Sequence, residues 1–118
     1  MAEFVNPFTG KSLERKLTKS ELSRAIRLDL AAEEEAIHLY QTHAEATDNE
    51  LAKKVLFDIA NEERVHVGEF QRLLNILCPD EEKLLCDGAK EVNEKAEELR
   101  DEAKESIKQI HTVGSMKE

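Results

Sequence analysis

The sequence predicts an all-α chain: an antiparallel two-helix hairpin plus a C-terminal helix, with a four-helix bundle completed by dimerisation. Two four-residue signatures of helix starts open long stretches of helical apolar periodicity, one directly after the other. Turn formers are scarce, with two Pro and four Gly in 118 residues. Aromatics make up only 4% and Trp is absent, while Ala, Leu, Glu and Lys dominate. A sandwich or barrel needs frequent Gly/Pro turns and β-branched runs, and this composition supplies neither.

Taken in order, residues 1–17 read as irregular, because Asn6-Pro7 and Thr9-Gly10 break any period. Thr18-Lys19-Ser20-Glu21 is a capping box, in which the hydroxyl and the carboxylate satisfy each other's backbone N–H. The first helix then runs to about Ala46. Thr47-Asp48-Asn49-Glu50 reads as a second capping box, and its helix runs to about Cys78, where Pro79 forces a stop. At ~1.5 Å per residue each arm is roughly 40 Å long. Pro79-Asp80-Glu81-Glu82 opens a third helical stretch with acidic charge in its first turn. Asp87-Gly88 is expected to interrupt it. From Ala89 a charged helix carries a thin apolar stripe: Val92, Ala96, Leu99, Ala103, Ile107 and Ile110. Residues 111–118 lose the period and read as a loose tail. The expected division is an N-terminal segment 1–17, a helical domain 18–110 and a tail 111–118.

The formal net charge is -9. A chain this acidic repels phosphate backbones and anionic lipid surfaces, so no nucleic acid and no membrane is expected as a partner. It suits the gathering of cations. No apolar run reaches the ~18 residues that a membrane span needs. The first residues have no continuous apolar core, so no secretory signal is expected and the cytoplasm is the default compartment. Cys78 and Cys86, eight residues apart, do not make a disulfide framework and read as reduced thiols. They also leave a zinc site short of ligands.

A helical wheel places chemistry on the apolar faces. With Glu33 as origin at about 100° per residue, Leu22, Ile26, Asp29, Leu30, Ala36, Ile37, Tyr40 and Ala44 fall within about 60°. Glu34 and Glu35 point to the solvated side. On the second helix, Ala52, Leu56, Ile59, Ala60, His66, Val67, Phe70, Leu74 and Leu77 surround Glu63, and Glu62 lies near the edge. A carboxylate on such a face is penalised unless paired or bound to metal. Singly, a Glu bonded to a Tyr or an inward His filling a core is ordinary.

Their combination is not. Glu63-Arg64-Val65-His66 is a Glu-x-x-His motif, which puts a carboxylate and an imidazole one turn apart on one face. Bundle di-iron centres use that motif on each of two helices, with one further Glu from each of the other two. The midpoint of Glu33 and Glu63 is position 48, inside the turn. In an antiparallel hairpin, residues equidistant from the turn share a level, so Glu33 meets Glu63 and His66. The sequence has one Glu-x-x-His on an apolar face, since Glu35-Ala36-Ile37-His38 points to the solvated side, hence half the ligands of such a centre. A two-fold dimer supplies the rest and also covers the apolar faces that a bare hairpin leaves open. Oxygen and imidazole donors suit iron or manganese.

The stretches Ala32–Tyr40, Ala46–Leu51 and Asn61–Phe70 resemble encapsulated ferritins, half-length members of the ferritin-like superfamily. The resemblance runs from Leu22 to Leu77, with the Glu…Glu-x-x-His register as its specific part. It implies a ferroxidase that oxidises Fe²⁺ to Fe³⁺ with O₂ or peroxide at a di-iron centre shared by two subunits, for iron storage or detoxification. It implies Glu33, Glu63 and His66 as catalytic iron ligands, with Glu33 bridging the irons and Tyr40 beside the centre. It also implies dimers assembled into a ring, typically a decamer. The family has an acidic site through which iron enters. Glu35 matches one of its carboxylates, Ala32 stands at the other position, and Glu34 is the substitute. Thr112-Val113-Gly114-Ser115-Met116 resembles the short peptide that loads cargo into encapsulin shells. The shell protein is then a partner, and the location is an encapsulin nanocompartment in the cytoplasm. Two other functions compete. A rubrerythrin-like di-iron peroxidase is chemically close, although the sequence has no paired Cys-x-x-Cys for a rubredoxin-type iron. A non-enzymatic helical adaptor would tolerate apolar residues at positions 33, 63 and 66.

Overall fold

The computed structural model describes residues 14–116, with side chains to residue 110. The described residues form three helices and no strand: α1 (Lys19–Glu45), α2 (Glu50–Leu77) and α3 (Pro79–Met116). The chain divides into two compact units, Met1–Pro79 and Asp80–Glu118. The expected all-helical class and the hairpin are present. Residues 1–13, the bulk of the expected N-terminal segment, lie outside the described residues, as do Lys117 and Glu118.

Helix α1 starts where its capping chemistry says it should. The Glu21 amide donates to the Thr18 hydroxyl at 3.1 Å, and the Thr18 amide donates to Glu21 Oε1 at 3.0 Å. Arg15, in the segment before the helix, grips the same carboxylate with two guanidinium bonds of 2.7 Å each. These bonds all favour the charged form. Arg15 contributes most, followed by the Thr18 amide, and the Glu21 carboxyl falls from 4.5 to about 2. The helix closes at Ala46, whose amide donates to the carbonyls of Thr42 and His43.

The second start differs from expectation. The N-cap is Asn49, whose side-chain carbonyl accepts from the Ala52 amide at 3.0 Å. Thr47 instead accepts from the Asn49 amide at 3.2 Å and so shapes the turn. Asn is as good a cap as Thr, and it stands next to the first helical residue, so it takes the role. The helix still begins at Glu50. The connection therefore keeps the four-residue length that forces α1 and α2 to lie antiparallel.

The seam between α1 and α2 is narrow. Ile26, Ala44, Ala60 and Leu74 are the buried apolar residues. The two alanines let the helix backbones approach closely. The other residues of the two predicted apolar faces are mostly half-buried, while Glu34, Glu35 and Glu62 are exposed. Two departures are Asp29 and His66, which are exposed in the single chain. Leu51, Val65 and Ile76 of α2 remain 73%, 61% and 59% exposed. A hairpin with four buried residues has spent little of its apolar surface.

Helix α3 corrects two expectations. It runs unbroken through Asp87-Gly88, and its backbone stays helical past His111 to Met116. A helical Gly costs about 1 kcal/mol relative to Ala, less than the surrounding helix formers Leu84, Leu85, Ala89 and Lys90 can offset. The loss of apolar period after Ile110 reports on burial, which a backbone can do without. Residues 112–116 are thus the end of a helix and not a loose tail; their side chains lie outside the described residues. No helix of the described residues is long and apolar enough to cross a membrane.

Two outcomes follow from the helix ends and from Gly88. A carboxyl held at about 2 against 4.5 stabilises the fold above pH 4.5 and loses that contribution as pH falls through about 2. The thermal midpoint of the native chain should therefore exceed that of Glu21→Gln at neutral pH, with the gap closing between pH 4.5 and pH 2. No atom lies within 4 Å of a Cβ built on Gly88. Gly88→Ala should therefore raise helicity at 222 nm and stabilise α3 by about 0.5–1 kcal/mol.

Candidate metal centre

Three polar side chains meet across the seam. Glu33 comes from the middle of α1, and Glu63 and His66 come from adjacent turns of α2. One ligand atom from each lies within 4.8 Å of the others. His66 Nδ1 stands 3.2 Å from Glu63 Oε2 and 3.7 Å from Glu33 Oε2. The first spacing follows from the i, i+3 arrangement on a helix. The second is the register expectation realised, since residues equally far from the turn come to one level.

The spacing suits a cation. Bonds of about 2.0–2.2 Å at right angles place neighbouring donors ~3 Å apart; the Glu63 separation of 3.2 Å is close to that value, and Glu33 at 3.7 Å stands wider. The donors are oxygen, oxygen and nitrogen, which favours iron or manganese over a thiolate-bound structural metal. Cys78 and Cys86 are free, and neither belongs to the cluster.

Exposure is graded across the trio. The Glu33 and Glu63 side chains keep 22% and 18% of their accessibility, whereas His66 keeps 48%. The two carboxylates sit against the seam and the imidazole stands at its rim. Three protein donors fill only half the coordination shell of an octahedral ion. The open side of the cluster is where further ligands must come from.

A feature invisible to motif reading braces the site. Arg64, inside the Glu-x-x-His motif, donates to Gln41 Oε1 of α1 at 2.9 Å and to Asn61 Oδ1 at 2.7 Å. This ties the two helices together one residue from Glu63. The signal available in the sequence was the charge of Arg64 within the motif, but nothing there singled out Gln41.

The remaining predicted residues fall elsewhere. Tyr40 is half-buried on α1, seven residues beyond Glu33 and outside the cluster. Glu34 lines a shallow groove of about 360 Å³ with Ile37, His38, Gln41, Thr42 and Glu45. Glu35 is exposed and lines neither that groove nor the cluster.

Comparison with known proteins gives consistent matches. Residues 3–74 match the Rubrerythrin family. The encapsulin nanocompartment cargo protein EncC of Myxococcus xanthus is 46% identical over 76 residues, 64% of this chain and 58% of that protein. A ferritin-like–encapsulin shell fusion protein of Pyrococcus furiosus is 41% identical over 90 residues, 76% of this chain and 26% of that protein. The crystal structure of the encapsulated ferritin domain from Pyrococcus furiosus superposes with a TM-score of 0.69 at 41% identity, covering 76% of this chain and 91% of that one. This chain thus spans a little over half of one full-length relative and about a quarter of the other.

The geometry generates a contrast that calorimetry can read. Glu33→Ala, Glu63→Ala and His66→Ala should each weaken anaerobic Fe²⁺ or Mn²⁺ binding by more than the ~10-fold that loss of an outer-shell partner costs. Glu34→Ala and Glu62→Ala should bind like the unsubstituted chain, because both residues are exposed and neither belongs to the cluster.

Proposed function

The chain belongs to the Rubrerythrin family of ferritin-like proteins, and from that membership we propose that it is a ferroxidase that loads iron inside an encapsulin compartment. The observation that carries the reading is the clustering of Glu33, Glu63 and His66 across the hairpin seam, which in this reading is half of a carboxylate-rich di-iron centre. A second copy brings the total to four carboxylates and two imidazoles, the ligand set of bundle di-iron sites.

In this reading Fe²⁺ is the substrate. Glu33, Glu63 and His66 of each chain hold one pair of ions between two subunits, with each Glu33 shared by both ions. Each Fe²⁺ gives up one electron, and O₂ or peroxide accepts the pair. The anionic oxygens favour Fe³⁺ over Fe²⁺, which lowers the cost of oxidation. The negative charge of the chain raises the local concentration of cations at the open site. Tyr40 beside the centre, and Glu34 and Glu35 as carboxylates of iron entry, are the roles that the resemblance implies for them. The dimers assemble into a ring, a decamer by the resemblance.

Compartment and partner follow the relatives, one named as encapsulin cargo and another as a fusion to a shell. Thr112-Val113-Gly114-Ser115-Met116 is the segment that docks on the shell protein. A single short peptide binds weakly, and a ring presenting about ten copies gains avidity from effective concentration. The family match favours one second reading, a di-iron peroxidase. The two differ in reductant: a ferroxidase takes its electrons from Fe²⁺ as substrate, whereas a peroxidase reduces H₂O₂ with electrons from a separate donor.

Stopped-flow absorbance of Fe²⁺ oxidation tests the chemistry. Alanine at 33, 63 or 66 should slow it by more than about tenfold, and alanine at 34 or 62 should leave it close to the native rate. Truncation after His111 should leave oxidation and oligomer size intact and abolish co-purification with a co-expressed shell. Equal co-purification of the truncated chain would remove the targeting role and leave the ferroxidase role standing.

A further inference from the structure

Helix α3 carries an apolar seam that is exposed along its whole described length. Leu85, Val92 and Leu99 recur every seven residues, and Ala89, Ala96, Ala103 and Ile110 form a second sevenfold row. The rows are offset by three and four residues, the a/d pattern of a coiled coil. Leu85, Val92, Leu99 and Ile110 are 46%, 64%, 66% and 72% exposed. The seam belongs to the C-terminal unit and is separate from the trio of the hairpin.

We propose that α3 pairs with α3 of a second copy of this chain as an antiparallel coiled coil, an interface distinct from the shared metal centre. Two independent features of the helix select this occupant and this direction.

The first is size. One row is mostly alanine and the other mostly Leu and Val. A parallel pair would stack Ala on Ala and Leu on Leu, so the helix axes would need two spacings at once. An antiparallel pair sets large against small in the four central layers: Leu99 on the partner's Ala96, and Val92 on the partner's Ala103, each twice by symmetry. Ala89 then meets the partner's Ser106, and Leu85 meets the partner's Ile110 at each end. Setting large against small keeps one spacing across these four central layers, which the parallel pair cannot do.

The second is charge. The residues flanking the seam decide direction in coiled coils. In the antiparallel pair Lys95 lies beside the partner's Glu102, twice by symmetry, and Arg100 lies beside the partner's Asn93. In the parallel pair Lys95 lies beside the partner's Arg100, twice, and like charges repel. Lys95 is therefore attracted by its neighbour in one direction and repelled by it in the other.

Disulfide mapping on the full chain tests this, with Cys78→Ser and Cys86→Ser as background. A chain with Leu85→Cys is mixed with one carrying Ile110→Cys and oxidised in the presence of a chelator, so that metal plays no part. The mixture should form the mixed 85–110 disulfide as the main cross-linked species, and neither chain alone should cross-link. Cross-linking of Leu85→Cys with itself would overturn the direction, and no cross-link in any mixture would overturn the pairing. Lys95→Glu in both chains should cut the yield of mixed disulfide by about tenfold, from two ion pairs turned into repulsions. Lys95→Glu with Glu102→Lys should restore it. Failure of the exchanged pair to restore the yield would overturn the charge contacts.

Discussion

Two carboxylates and an imidazole facing one another across a narrow helical seam set the terms for the rest of this molecule. Each carboxylate loses hydration where α1 meets α2, and both face the same imidazole, His66, at 3.7 and 3.2 Å. Such groups are tolerated when they gain a cation or stay near water. The observed exposures of 22% and 18% are a compromise between the two. The cost of fully covering the trio without a cation is a physical reason for a hairpin that stays open on this side.

That constraint explains why the hairpin is so thin. Residues that would enlarge the core are replaced at the centre by Glu33, Glu63 and His66, and the buried set shrinks to Ile26, Ala44, Ala60 and Leu74. Stability is supplied at the ends instead. The capping box at Thr18, the Arg15–Glu21 ion pair and the Asn49 cap fix where each helix starts. Fixing both starts fixes the level at which Glu33 meets His66. The Arg64–Gln41 bond holds that level from the side.

Much of this was legible in the sequence, and the failures have physical causes. The α1 start could be read directly because Thr18 and Glu21 are each other's best partners. The α2 start was read one role out of place, since Thr47 and Asn49 both make good caps and only the backbone decides between them. The wheel separated Glu33 and Glu63 from Glu34, Glu35 and Glu62, because burial follows helical phase. It also put His66 on that face, where the imidazole does meet Glu33 and Glu63, although at the rim it keeps 48% of its accessibility. Gly88 and residues 111–116 misled for different reasons: one glycine is a weaker helix breaker than its Asp-Gly context suggests, and a backbone can stay helical past the last apolar repeat at Ile110. The Gln41–Arg64 contact joins residues 23 apart, and no local pattern reports it.

The central claim is that one chain holds half a centre and two chains hold the whole. Anaerobic Fe²⁺ titration followed by native mass spectrometry tests it directly, because mass reports chains and ions together. A shared centre predicts that iron appears only on paired chains, with two ions for every two chains, and that the paired species grows as Fe²⁺ is added. Iron bound tightly to single chains, or a chain distribution that Fe²⁺ leaves unchanged, would contradict it.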